Sequence, residues 1–256
     1  LFGSGAAALI IKVASAGTSY LMLVAFANML HATEYGYFGY ILNLSVRLSA
    51  LFGLGLPTHV MRFWPLHMGR GEAAKARGLV ALSLRALLAA ALLLALVGAL
   101  LSYAKPMADT LGFTEAWLLT ALLAASFAFG DYFSGALRAQ GNTIWALAPR
   151  DIGWRVLAPA LAFAILLFTG AATARTAIYA CLAVMLVVCA LQLGKHLSLT
   201  RVLAGTGPAA EERSVWLKPL FPLWFSGVLY ALIQQFDVIV VGTLLGAEKA
   251  GAYFAA

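Results

Sequence analysis

Residues 78–103 contain a single charge, Arg85, in a run otherwise made of Leu, Ala, Val, a few Gly and Ser, and a terminal Tyr103. At about 1.5 Å per helical residue, such a run is long enough to cross the roughly 30 Å hydrocarbon core of a bilayer. The same kind of run recurs at 3–29, 36–61, 115–137, 152–171, 174–197 and 217–245, and an eighth begins at Ala250. Gly36, Gly69, Gly71, Pro106, Gly141, Asn142 and Gly170 punctuate the turns between them. Inside lipid, every backbone polar group must find its partner within the protein, so serial runs of this length predict an all-α integral membrane bundle.

Composition agrees. Apolar residues make up 63% of the chain and charged ones 11%, against about 45–50% and 25% in soluble domains. The mean hydropathy is +0.92. The first run is read as a span and not as a cleaved address, because apolar runs continue to the end of the chain. A net charge of +7 could suggest nucleic acid, but the cations lie scattered between spans and form no basic face. Cys181 and Cys189 share one apolar run and stand about 12 Å apart along a helix, beyond disulfide reach. His31, His59, His67 and His196 have no ligand-like spacing, so no metal and no cofactor is expected.

The distribution of Lys and Arg orients the bundle. Loops on one side carry Arg62, Arg70, Lys75, Arg77, Arg138, Arg150, Lys195, Arg201, Arg213 and Lys218, whereas the other side has Lys105, Arg175 and Lys249. The first set is read as cytoplasmic, and the amino terminus with it. One long polar connection, 199–214, includes Gly207, Pro208, Glu211, Glu212 and Arg213 and is read as a linker. It divides a first six-helix lobe (1–198) from the start of a second (215–256). The turn at 30–40 echoes the one at 244–256 when Gly36 is set on Gly251. Six spans lie between them, which keeps their orientation and is the pattern of a parallel repeat. The chain stops inside its eighth run, so a fragment of a two-lobed transporter is expected.

Three stretches carry a family resemblance. "LHATEYGYFGYILNLSVRLSALFGLGLPTHVMRF" (30–63), "RAQGNTIWALAPRD" (138–151) and "WFSGVLYALIQQFDVIVVGTLLGAEKAGAYFAA" (224–256) resemble the corresponding segments of bacterial polysaccharide flippases. The first departs from that pattern in having His31, Ala32 and Thr33 where Gly-Pro is usual. The resemblance implies the superfamily of multidrug and toxic-compound extruders and lipid-linked oligosaccharide exporters. It therefore implies two six-helix lobes, alternating access, and translocation of an undecaprenyl-pyrophosphate-linked oligosaccharide across the bacterial inner membrane.

Ionisable residues within spans are costly, about 2.5–3.5 kcal/mol each at the bilayer centre on insertion scales, and so mark candidate sites. Those read here are Lys12, Arg47, Arg85, Asp131, Arg155 and Asp237. Lys12 and Arg47 fall near mid-depth with no carboxylate in their own spans. With Arg85 they are expected to line a cationic cavity for the lipid-linked pyrophosphate, since an Arg fork suits phosphate oxygens. Arg85 and Asp131 lie at similar depth and would form an internal ion pair, and Arg155 would snorkel. Asp237, beside Gln234 and Gln235, is the candidate for Na⁺ or H⁺ coupling. Gly53, Gly55 and Pro57 form a candidate hinge.

Other function classes fit less well. The only adjacent carboxylates are Glu211 and Glu212, and no P-loop, Gly-x-Ser-x-Gly or His-Glu-x-x-His is present, so an enzyme of envelope lipid metabolism is disfavoured. A drug or metabolite cation antiporter of the same superfamily is the nearer alternative, but the intramembrane charge leans positive, which suits an anion.

Overall fold

The computed structural model describes residues 2–104, 113–210 and 212–233. Its helices are α1 (Phe2–Met29), α2 (Ala32–Phe52), α3 (Leu56–Gly69), α4 (Ala73–Tyr103), α5 (Ala116–Ala139), α6 (Thr143–Leu147), a π-helical turn (Ala148–Gly153), α7 (Trp154–Thr169), α8 (Ala174–Ala204) and α9 (Arg213–Ile233). No strand occurs among the described residues. Five helical stretches are long and apolar enough to cross a membrane, and α2 with α3 makes a sixth if the bent pair is one span. The protein is a multi-pass helical membrane protein.

α5 is the central post. Small residues dominate its buried surface, among them Ala121, Ala124, Ala128, Gly130, Ser134 and Gly135, and such residues let helix backbones approach where lipid supplies no hydrophobic drive. At Gly135 a Cβ would stand 2.7 Å from the Pro57 carbonyl oxygen, so only glycine admits α3 this closely. On one side of α5, Phe26, Phe38, Trp154 and Met185 form a core joining α1, α2, α7 and α8; on the other, Val60, Trp64, Leu79, Phe133 and Trp216 join α3, α4 and α9. Leu92, Leu96 and Leu100 of α4 and Phe168 of α7 are exposed, as lipid-facing side chains should be.

The second apolar run is not one straight helix. α2 and α3 meet at 42°, through Leu54 and Gly55 with φ of 53° and 68°, and Pro57 opens α3. Glycine tolerates the left-handed conformation at little cost, and proline in a first helical turn forfeits no bond. The "FGLGLP" stretch is thus a sharp break, the geometry on which the hinge expectation for Gly53, Gly55 and Pro57 bears.

The run expected at 152–171 starts earlier than its composition suggests. Asn142 caps α6 by accepting from Trp145 N, and the helical path continues through the π-turn into α7, giving a candidate span over Thr143–Thr169. Pro149 removes one backbone donor, which favours the widened turn. Gln192 of α8 donates to the carbonyls of Trp145 and Ala146, at 3.0 and 3.1 Å. Arg138 and Arg150, assigned above to a single loop, therefore belong to the end of one span and the interior of the next.

The polar linker is also shorter than expected, because α8 runs to Ala204 and α9 begins at Arg213. Its residues are fastened to the bundle. Arg77 donates to the carbonyls of Ala204 and Pro208, and Ala210 N donates to the Ala74 carbonyl. Lys75 bridges Glu72 and Glu212, at 2.8 and 2.7 Å. His67 Nδ1 lies 2.8 Å from Glu72, and its Nε2 accepts from the indole of the fully buried Trp216. Hydrogen bonds from Lys75 and then His67 hold the Glu72 carboxyl down at about 2. The repeat partner of the first turn, at 244–256, lies outside the described residues.

Candidate functional site

A cavity of about 330 Å³ opens beside the α2–α3 break. α1 supplies Lys12 to it; α2 supplies Ser49; the break and the first turn of α3 supply Gly53, Gly55 and Pro57; α5 supplies Asp131, Ser134 and Arg138; and the π-turn supplies Arg150. Positions 131, 134 and 138 recur at helical spacing, which puts them on one face of α5. α9 covers the opening with Leu223, Trp224 and Gly227. A Cβ on Gly55 would meet Trp224 N at 2.8 Å, and the Trp224 indole donates to the Leu51 carbonyl at 2.7 Å, occupying an acceptor in the last turn of α2 that the helix itself cannot pair.

The charges are organised around Arg150. Its Nη1 donates to Asp151 Oδ1 at 2.7 Å and its Nη2 to Asp131 Oδ1. Lys12 Nζ reaches Asp151 Oδ2 at 2.6 Å. Asp151 is the most enclosed member, its side chain 2% exposed, while that of Lys12 is 60% exposed. Arg155 donates to the Asp151 carbonyl and to Ser15 Oγ, the latter at 3.1 Å, which ties the π-turn to α1. Buried ions are tolerable only when paired and hydrogen-bonded, and this network meets that condition. The π-turn makes it feasible, presenting the consecutive Arg150 and Asp151 to the same interior region.

Three cations (Lys12, Arg138, Arg150) and one carboxylate (Asp131) line this cavity, and Asp151 pairs with Lys12 and Arg150 from outside its lining, which leaves one positive charge in surplus over the five groups. A smaller cavity of about 240 Å³ lies behind it, lined by Phe127, Trp154 and Arg155. The two share Ser49, Ala50, Asp131 and Arg150 as a common wall.

The expected site residues are only partly brought together. Lys12 lines the main cavity, but it is paired with Asp151 and does not lack a carboxylate. Asp131 is in an ion pair, with Arg150 where the sequence offers Arg85. Arg155 is tied down by hydrogen bonds. Arg47 lines a separate groove of about 540 Å³ with Tyr35, Gly36, Gly39, Tyr40 and Asn43, and is not among the residues lining the main cavity. Arg85, exposed on α4, lines neither space. Gln234 and Asp237 lie outside the described residues.

Arg150 and Asp151, the centre of the network, escape the sequence reading because it treats "RAQGNTIWALAPRD" as a loop. The uncharged stretch from Gln140 to Pro149 is the available signal, since it is long enough to return the chain into the bilayer before Arg150. Among the described residues, no cluster of three His, Cys, Asp or Glu side chains is placed to hold a metal. Comparison of the chain with protein-family models, with curated proteins and with solved structures finds no match.

Proposed function

We propose that the chain forms the first lobe, and the start of the second, of a bacterial inner-membrane flippase. It would move an undecaprenyl-pyrophosphate-linked oligosaccharide from the cytoplasmic to the outer leaflet by alternating access, with its amino terminus in the cytoplasm. The observation that supports this reading is the cationic surplus of the cavity beside the broken second span. Arg150, Arg138 and Lys12 come from three separate elements and converge on a space open enough for a phosphate group. An Arg fork binds phosphate oxygens with two parallel bonds, and Lys adds a point charge. The sequence resemblance points the same way. A cation antiporter would require a surplus of carboxylates here, whereas Asp131 and Asp151 are both engaged by cations.

The test is leaflet translocation of a fluorescent lipid-pyrophosphate oligosaccharide in proteoliposomes carrying the protein expressed from its complete gene. The double variant Lys12→Gln with Arg138→Gln changes the cavity balance from plus one to minus one and is expected to abolish translocation. Undiminished translocation by that variant would refute the cavity's role. Cation efflux without lipid translocation by the wild type would favour the antiporter.

A further inference from the structure

We propose that Asp131 is a proton-binding group of this cavity, and that an anion and a proton occupy the cavity together. The inference rests on the reading above, that the cavity receives an anionic group.

Arg150 is shared among competitors. Its two terminal nitrogens serve Asp151 and Asp131, and its Nε is buried with no hydrogen-bond partner. The two carboxylates are not equally held. Asp151 has Lys12 as a second cation at 2.6 Å, its side chain is 2% exposed, and its backbone carbonyl anchors Arg155. Asp131 pairs with Arg150 alone among the described residues, is 34% exposed, and forms part of the wall of both cavities. An anionic oxygen that approaches Arg150 from the cavity therefore displaces Asp131 and leaves Asp151 in place.

The groups around Asp131 do not offer it another ion pair in this arrangement. Lys12 on α1 is engaged by Asp151, and Arg138 on α5 donates to the Ser134 carbonyl. Arg155 on α7 is held by Ser15 and the Asp151 carbonyl, Asp151 in the π-turn is itself an anion, and α2 and α8 contribute Ser49 and Cys189. A half-buried carboxylate without its cation, and with anions beside it, favours the protonated form.

Charge balance leads to the same conclusion. Lys12, Arg138 and Arg150 against Asp131 and Asp151 leave one positive charge, which one anionic oxygen cancels. A pyrophosphate brings more than one negative charge, and a second anionic oxygen would leave the buried site net negative. One proton on Asp131 offsets that second charge. In the step, the Arg150–Asp131 hydrogen bond breaks, Arg150 bonds the incoming oxygen, and Asp131 forms an O–H bond with a proton supplied by cavity water in exchange with solvent. Binding that takes up a proton strengthens as pH falls, by up to about tenfold per pH unit for one proton, and the coupling is reciprocal. Breaking the pair also separates two members of the wall between the cavities.

Inorganic pyrophosphate is the probe, with the protein expressed from its complete gene and purified in detergent. Infrared difference spectra of the wild type, with and without pyrophosphate, are expected to gain a protonated-carboxyl stretch that Asp131→Asn lacks and Asp131→Glu shifts. A pH dye in weak buffer is expected to report about one more proton taken up per pyrophosphate bound by the wild type than by Asp131→Asn. Should Asp131→Asn fail to fold, the wild-type spectrum and the Asp131→Glu shift still decide the question. Pyrophosphate binding with no gain in protonated carboxyl would overturn this inference and leave the anion-binding reading standing. No pyrophosphate binding at all would overturn both.

Discussion

Replacing Arg150 by Gln removes the cation shared by two carboxylates and leaves a shorter, neutral side chain. Breaking a fully buried ion pair by deleting one partner costs about 3–5 kcal/mol. Arg150 and Asp131 are 26% and 34% exposed, and Lys12 still holds Asp151, so solvent screening and the surviving partner reduce the expected loss to about 2–3 kcal/mol. Most of that loss should come from the Asp131 side, where no second cation forms an ion pair among the described residues. Arg150→Gln combined with Asp131→Asn should then cost less than the sum of the two single changes by about 1–2 kcal/mol. Equilibrium unfolding in bicelles of the wild type, both single variants and the double variant measures this directly. Strict additivity would refute the argument that the pair forms a coupled unit, as would an Arg150→Gln loss below about 0.5 kcal/mol.

Further predictions concern other elements. Gly135→Ala places a Cβ against the Pro57 carbonyl and should destabilise the protein by about 1–3 kcal/mol, read in the same unfolding assay; no loss would mean that α3 can move away freely. Trp216→Phe keeps an aromatic ring but loses the bond to His67, and should cost about 1 kcal/mol and speed proteolysis within 205–212; an unchanged cleavage rate would show that this bond does not hold the linker. Lowering of the Glu72 carboxyl from 4.5 to about 2 gives a contribution to stability that is fully present above pH 4.5 and lost as pH falls toward 2. Glu72→Gln should remove that part of the pH dependence, and identical acid profiles for variant and wild type would refute it. Cysteines placed at Lys12 and at Leu96 should differ in labelling by a water-soluble maleimide, strongly at the first and weakly at the second; equal labelling would contradict the assignment of cavity and lipid faces.

The membrane class and most helix positions are legible because apolar runs with few charges, long enough to span a bilayer, admit few alternatives. The runs at 3–29 and 78–103 correspond closely to α1 and α4. The site is less legible because tertiary pairing decides it. Asp131 meets Arg150 nineteen residues later, and Lys12 meets Asp151 from 139 residues away. No helical periodicity links such positions. Treating 138–151 as one loop hides the central pair, since its polar ends obscure the apolar segment between them. Depth alone groups Arg47 and Arg85 with Lys12, whereas the packing of neighbouring helices leaves Arg47 lining another groove. The kink is legible from Gly53, Gly55 and Pro57 because those residue types act through local backbone geometry.

The most direct test of the cavity's role uses a photoactivatable polyprenyl pyrophosphate, with the reactive group close to the phosphates, crosslinked to the membrane-embedded protein and mapped by mass spectrometry. The account predicts labels on α1 near Lys12, on α5 between Asp131 and Arg138, and on the Ala148–Gly153 turn, all reduced by excess unlabelled lipid pyrophosphate. Competable labels confined to the exposed faces of α4 and α7, with none on these three elements, would contradict it.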